Sequence, residues 1–190
     1  RSSNYARRVN LIVLSGPGGV GKSTVSEFLR KNCPDIWVSV SATTRAPRVG
    51  EIDGVDYFFR SEEEFKEQIA RGEFLEWAHF ADNYYGTPKH AVMAQIGAGK
   101  SVLLVIEISG ARQVRSASEE AYLVFLAPPS IAELERRLLG RGTESPERAA
   151  QRLELAQEEM AQSHWFDEVL VNTSVEEVAA RLITLASQPR

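Results

Sequence analysis

Gly16-Pro17-Gly18-Gly19-Val20-Gly21-Lys22-Ser23 fits the pattern G-x-x-x-x-G-K-[ST], and its flanks give the match its meaning. The apolar run ahead of it reads as a buried strand, Val9–Ser15. Behind it, Thr24-Val25-Ser26-Glu27-Phe28-Leu29 places Val25, Phe28 and Leu29 at helical spacing. Strand, glycine-rich turn and helix in that order make a phosphate-binding loop. Glycines let the backbone curl until N–H groups point inward at phosphate oxygens. The helix N-terminus adds a partial positive charge. Lys22 then reaches the β- and γ-phosphates of a nucleotide, and the Ser23 hydroxyl is placed to ligate Mg²⁺.

Outward from this loop, strand patterns alternate with helical ones. Further strands are expected at Trp37–Val40, Val102–Ile108, Tyr122–Leu126 and Glu168–Val171. Several are continuous apolar runs, as parallel strands covered on both faces require. Ser61-Glu62-Glu63-Glu64 is a capping box for a helix that Gly72 closes, and Ser130-Ile131-Ala132-Glu133 opens one that stops near Gly140. Ser145-Pro146 starts a helix carrying Leu153, Ala156 and Met160 and running to near Ser163. Ser174-Val175-Glu176-Glu177 opens the last helix, with Val178, Leu182 and Leu185 on one face. Between residues 37 and 90 the alternation gives way to short segments rich in Thr, Tyr, Phe, Trp and Gly. The reading is an α/β domain over 9–190. Its parallel-sheet core (9–36 and 91–190) is flanked by helices and carries a small β-rich insertion at 37–90. The polar, glycine-hinged link Gly140–Ser145 is of the kind that forms mobile lids.

Composition bounds the rest. The 190 residues suffice for one domain with a real core, and 43% hydrophobic with 25% charged residues is a soluble globular profile. With 22 basic against 26 acidic residues the net charge is −4, which gives no polybasic footprint for a nucleic-acid polymer. A single cysteine, Cys33, permits no intrachain disulfide and suits a reducing compartment; it is read as packing filler. His79, His90 and His164 lack metal-ligand spacing and are read as surface or packing residues. Apolar runs such as Val102 to Ile106 are far short of a membrane span. No signal-peptide pattern opens the chain, so the cytoplasm is the default expectation. Residues 1–8 are polar and basic and are read as a flexible leader.

The insertion holds a second constellation. Ser39 to Glu51 contains Arg45 and Arg48, Asp53 to Phe59 contains Tyr57, and Gly72 to Ala78 contains Glu76 among apolar neighbours; Asn83-Tyr84-Tyr85-Gly86-Thr87 follows. Arginines with tyrosine hydroxyls make a cradle for a second phosphate group. A carboxylate with hydroxyls can read a purine edge. Because an ionised glutamate only accepts hydrogen bonds, it favours guanine, which offers donors at N1 and N2, over adenine.

GPGGVGKST, SVSATTRAPRVGE, DGVDYFF, GEFLEWA, NYYGT, the turn Pro128-Pro129-Ser130 and RLLGRGTES together resemble the guanylate kinases, from Arg8 to Ser187. The resemblance implies a parallel-sheet core, a monophosphate-binding region over 37–90 and a lid over 137–152. It implies the reaction of ATP with GMP to give ADP and GDP, dGMP serving as well, with Mg²⁺ accompanying ATP. By the same resemblance Gly16, Pro17, Gly18, Gly19, Val20, Gly21, Lys22, Ser23 and Thr24 hold ATP, and Asn172 matches an adenine-side contact. Ser41, Glu76 and Thr87 match guanine contacts. Arg45, Arg48, Tyr57 and Tyr85 match holders of the GMP phosphate. Arg137, Arg141 and Arg152 match lid arginines that close over the ATP phosphates and serve catalysis with Lys22 and Arg45.

The chain departs from the family pattern at three places. Gly18 stands where serine is frequent, and Ala81-Asp82 where a glycine is usual. Val105-Ile106-Glu107 replaces two acids flanking an isoleucine. In the family those acids lie near the loop lysine and the magnesium waters; Glu107, also matched to the GMP side, can serve with a longer reach, while Val105 removes the other acid. Two other functions fit parts of the pattern. A catalytically dead, phosphopartner-binding relative would lose the loop lysine and glycines, which are intact here. A kinase for another base is opposed by Ser41, Glu76 and Thr87.

Overall fold

β1 (Leu11–Ser15) is buried along its whole length, and Ile12, Val13 and Leu14 are fully shielded. A strand with four consecutive apolar residues, Leu11 to Leu14, needs cover on both faces, and this one is central. The computed structural model describes residues 9–140 and 145–187. In it β1 lies between β7 (Ser101–Val105) and β8 (Tyr122–Ala127), with β2 (Ile36–Val38) and β9 (Glu168–Val171) at the edges. All pairings in this five-stranded sheet are parallel, with Leu14 opposite both Val105 and Val124.

Side-chain alternation divides the core into two layers. Ile12, Leu14, Leu103, Val124 and Leu126 pack on Val25 and Leu29 of α1 (Lys22–Asn32) and on Val178, Leu182 and Leu185 of α7 (Val175–Ser187). Val13, Leu104, Leu123 and Phe125 face the other way, toward Val92 of α3 (Lys89–Gly97) and toward Ala111 and Val114 of α4 (Ile108–Ala117). Each fully buried leucine or isoleucine contributes on the order of 1.5–3 kcal/mol relative to leaving it exposed. Both layers therefore hold the sheet edge from which the phosphate loop emerges.

The insertion forms a second sheet in the order β4-β3-β6-β5, from β3 (Ala42–Thr43), β4 (Phe58–Phe59), β5 (Phe74–Phe80) and β6 (Asn83–Pro88). α2 (Glu62–Ala70) covers it, and its capping box at Ser61 and Glu64 is formed as expected. Phe65 of α2 stacks on Phe74 at 4.4 Å between ring centroids. Gly86 makes room for that stack: a Cβ there would meet Phe74 at 2.9 Å and the Glu76 carbonyl at 3.0 Å. The β5–β6 turn puts Ala81 and Asp82 at φ 49° and 66°. That left-handed two-residue turn suits Asn-Gly or Asp-Gly, so alanine is strained there.

α5 (Ile131–Leu139) and α6 (Pro146–Met160) follow β8, capped by Ser130 and Ser145. Residues 141–144 of the link expected as a lid, with Arg141, lie outside the described residues, as does the stretch 1–8 expected as a leader. No helix among the described residues is long and apolar enough to cross a membrane.

Several expected boundaries need correction, among them β1, which begins at Leu11 rather than Val9, and β8, which runs to Ala127. The strand expected over Val102–Ile108 ends at Val105, because its partner β1 ends at Ser15 and offers no further ladder. Glu107 then takes the N-cap of α4, a helix the sequence reading did not anticipate. α3 was also unanticipated: its N-cap is Pro88, which offers no side-chain acceptor, and only Val92 is buried. The strand expected at Trp37–Val40 is Ile36–Val38, and α6 ends at Met160, with a 3₁₀ turn at Ser163–Trp165.

Candidate functional site

β1 delivers the chain into the glycine loop at the sheet's carboxyl edge. Gly16 has φ 151°, and a Cβ there would stand 2.3 Å from the Leu126 carbonyl oxygen, so β8 leaves no room for a side chain. Gly21 is the N-cap of α1 at φ 103°, and a Cβ there would meet the Asn172 amide at 2.8 Å. The first turn of α1 carries no acidic residue, so its N-terminal partial charge stays available to an anion. Pro17 and Val20 are buried, while Gly18, Gly19, Ser23 and Thr24 face solvent. The Lys22 ammonium donates to the Gly16 carbonyl at 2.7 Å and lies 3.7 Å from Glu107 Oε2.

The loop's backbone is tied from two distant parts of the chain. Asn172, just after β9, is buried and its amide donates to the Val20 carbonyl at 2.8 Å. The Arg137 guanidinium of α5 donates to the same carbonyl at 3.3 Å and to Glu133 at 3.3 Å. Asn172 thus ties the loop through its amide nitrogen. Glu159 of α6 faces the loop from another side, within electrostatic reach of Lys22, Glu107 and the Gly18 backbone. Burial and the charge of Glu107 push the Glu159 pKa up, against the pull of Lys22.

On the second sheet, Glu76 and Thr87 are opposite each other across β5 and β6. Both are buried, Glu76 at 7% exposure and Thr87 at 0%, and the Thr87 hydroxyl donates to Glu76 Oε1 at 2.7 Å. Burial pushes the Glu76 pKa up to about 7; Glu107 adds to the rise and the Thr87 hydrogen bond opposes it. Ser41, half-buried, precedes β3, and its carbonyl accepts from the Phe58 N–H at 2.8 Å.

Arg45 forms a two-pronged pair with Glu51, at 2.8 and 3.0 Å, and its guanidinium lies 5.1 Å from the centre of the Tyr57 ring. Tyr57 in turn meets Tyr85 edge-on at 6.4 Å. The Arg48 N–H donates to Glu51 at 2.7 Å, which brings the second arginine's backbone into the same group. Arg45 and the Arg48 amide hold the Glu51 carboxyl down at about 2.

The structure therefore gathers the loop residues, Lys22, Arg137 and Asn172 in one group, and Arg45, Tyr57 and Tyr85 in another. Glu107 was expected with the second group. Its carboxylate stands beside Lys22, and its charge raises both Glu76 and Glu159, so it lies between the two sites. Arg152 is exposed on α6. Glu51 and Glu159 were assigned no role from sequence; Glu51 sits within a quoted motif, but nothing local shows that it grips Arg45.

Known proteins share this chain's sequence and fold. The guanylate kinase family description matches residues 8–188. The chain is 59% identical over 180 residues to a guanylate kinase of Streptomyces coelicolor, covering 95% of this chain and 91% of the relative. It is 56% identical over 179 residues to one of Thermobifida fusca, covering 94% and 91%. A crystal structure of guanylate kinase from Anaplasma phagocytophilum superposes with a TM-score of 0.74 at 35% identity, covering 96% of this chain and 87% of that one.

Proposed function

The chain belongs to the guanylate kinase family and transfers a phosphoryl group from ATP to GMP; we propose that its two groups of residues divide that work as follows. The glycine loop from Gly16 to Thr24 holds the ATP phosphates on backbone N–H groups, with Lys22 on the β- and γ-phosphates. Arg45, Arg48, Tyr57 and Tyr85 hold the GMP phosphate. Glu76, Thr87 and Ser41 read guanine. Arg137, with Arg141 and Arg152 of the lid, closes positive charge over the transferring group. Asn172 acts through the loop by fixing the Val20 carbonyl. The 37–90 region moves as the monophosphate-binding part and 137–152 as the lid.

The chemistry follows from charge. The GMP phosphate oxygen is already an anionic nucleophile, so no general base is required. Two polyanions must be brought end to end, and fixed cations offset their repulsion in a site from which water is excluded. The surroundings of Lys22 also fit Mg²⁺ carried in on ATP. Ser23 and Glu107 offer hard oxygen donors there, and among the described residues no cluster of three or more His, Cys, Asp or Glu forms a protein cage. When bound, Mg²⁺ would neutralise charge on the phosphates. Nothing in the sequence reads the sugar 2′ position, so dGMP is included as a substrate.

The observation that carries the reading is the buried Glu76–Thr87 pair: a carboxylate held by a neighbouring hydroxyl, ready to accept from guanine N–H groups. The test is ADP formation from ATP and magnesium with GMP, dGMP, AMP, UMP or CMP. Rapid turnover with GMP and dGMP, abolished by EDTA, is expected. ATP binding without GMP phosphorylation, or equal rates with AMP, overturns it.

Two further outcomes are expected at Glu76. Guanine needs the ionised carboxylate, so kcat/KM for GMP should fall as pH drops below about 7, the level to which burial raises Glu76. A profile from pH 5.5 to 8.5 checks this, with Glu76→Gln as the control that lacks this limb. Thr87→Val removes the hydrogen bond that holds the pKa down, so the midpoint should move higher. It should also lower kcat/KM for GMP by roughly 10-fold at pH 7.5, as befits a lost bond to a charged group. An unmoved midpoint would show that another group titrates.

A further inference from the structure

Glu107, Gly110 and Gln113 are spaced three apart at the start of α4, so they share one stripe of that helix. Glu107 stands beside Lys22, as described. Gly110 lies against Glu76: a Cβ built on it would be 2.7 Å from Glu76 Oε2, 3.1 Å from the carboxyl carbon and 3.3 Å from Ile106 Cδ1. Its backbone is helical and has no positive φ, so conformation does not call for glycine. Glycine inside a helix is destabilising relative to alanine, which leaves space as the property it supplies. That space is occupied by the Glu76 carboxylate.

Gln113 holds the next residue of the same strand. Its Nε2 donates to the Trp77 carbonyl at 2.8 Å, and the Trp77 N–H donates to its Oε1 at 3.1 Å. β5 is the edge strand of its sheet, with β6 on one side only. One side chain therefore takes the place of a neighbouring strand at Trp77, immediately after Glu76. The carboxylate is gripped by Thr87 on one oxygen, bounded by Gly110 at the other, and its backbone is pinned by Gln113.

We propose that Gly110 and Gln113 are positioning residues for base selection: they fix where the Glu76 carboxylate presents its oxygens and so set the preference for guanine. The proposal rests on Glu76 being the guanine reader. Neither residue touches the base in this account; both act through Glu76.

The test uses the full chain with Gly110→Ala, Gln113→Ala, Glu76→Gln and the double variant Gly110→Ala/Glu76→Gln. For each, kcat and KM are measured with GMP and AMP, together with KM for ATP and Tm. Gly110→Ala should raise KM for GMP by roughly 10-fold and lower the GMP-over-AMP preference in step, since small misplacements of a reading group are expensive. KM for ATP should stay within about twofold, and Gln113→Ala should show a smaller loss of the same kind. In the Glu76→Gln background, Gly110→Ala should change the preference by less than about twofold, because its route through the carboxylate is gone. If Gly110→Ala fails to fold, Gln113→Ala decides alone.

Unchanged GMP KM and preference in these variants, with the preference lost in Glu76→Gln, would overturn the positioning role while leaving Glu76 as reader. An equal fall in kcat with both nucleotides at constant KM would overturn it too. A Glu76→Gln protein that keeps the parent's preference would instead remove the reader assignment on which this stands.

Discussion

In the Lys22→Ala protein, GMP turnover is expected to fall by at least ~10²-fold, the loss typical of a removed, pre-positioned stabilising charge. The ammonium is placed at the mouth of the loop by the Gly16 carbonyl at 2.7 Å and by Glu107 at 3.7 Å. Phosphoryl transfer asks the protein for positioning and charge stabilisation more than for covalent chemistry, so a fixed cation at this point should act mainly on kcat. Lys22 lies at the start of α1, outside the two core layers, so Tm should be retained. Coupled ADP assay and thermal unfolding on the same preparation check both halves. A folded Lys22→Ala protein that turns over GMP at the parent's rate would remove the glycine loop from the chemistry.

Glu76→Gln should produce the other large effect. An amide can still accept on one atom, but it presents an N–H where guanine also presents one. A site built to hydrogen-bond its substrate can discriminate by ~10⁴ or more, and most of that preference over AMP should disappear. Side-by-side kcat/KM values for GMP and AMP measure it.

Stability should move the opposite way. Burial raises Glu76 from the ordinary carboxylate value of 4.5 to about 7, so the folded state binds this proton more tightly than the unfolded state does. Stability from this group is complete below the ordinary value and is lost as pH rises toward 7. Above that it costs on the order of 3 kcal/mol. Glu76→Gln should therefore raise Tm at pH 8 by several degrees, and the gain should vanish at pH 4. A Tm that falls equally at both pH values would mean that the carboxylate stabilises the fold.

Much of this was legible in the sequence because the decisive residues are local. The glycine loop, the capping box at Ser61, the N-cap at Ser130, and the buried runs of β1 and β8 each announce themselves within a few residues. What escaped depends on contacts between distant segments. α3 and α4 lack an N-cap side-chain hydrogen bond, and the apolar run through Ile108 reads as strand until the length of β1 limits it. The grip of Glu51 on Arg45, the nearness of Glu159 to Lys22 and the void left by Gly110 appear only when the elements are assembled. Glu107 is the instructive case. Its identity departed from the family pattern, yet its carboxylate still reaches Lys22.

The Val20 carbonyl, held by an amide 152 residues further along the chain, has a meaning for biosynthesis. The glycine segment leaves the ribosome long before its hydrogen-bonded partner at Asn172 is made. The neighbours of β1, at 101–105 and 122–127, also arrive late. Contacts of such long sequence separation form slowly and only after the chain is available. A nascent polypeptide stalled before Asn172 thus carries every residue of the glycine loop and lacks one of the ties that shape it, so the finished loop waits on a residue made 152 positions later.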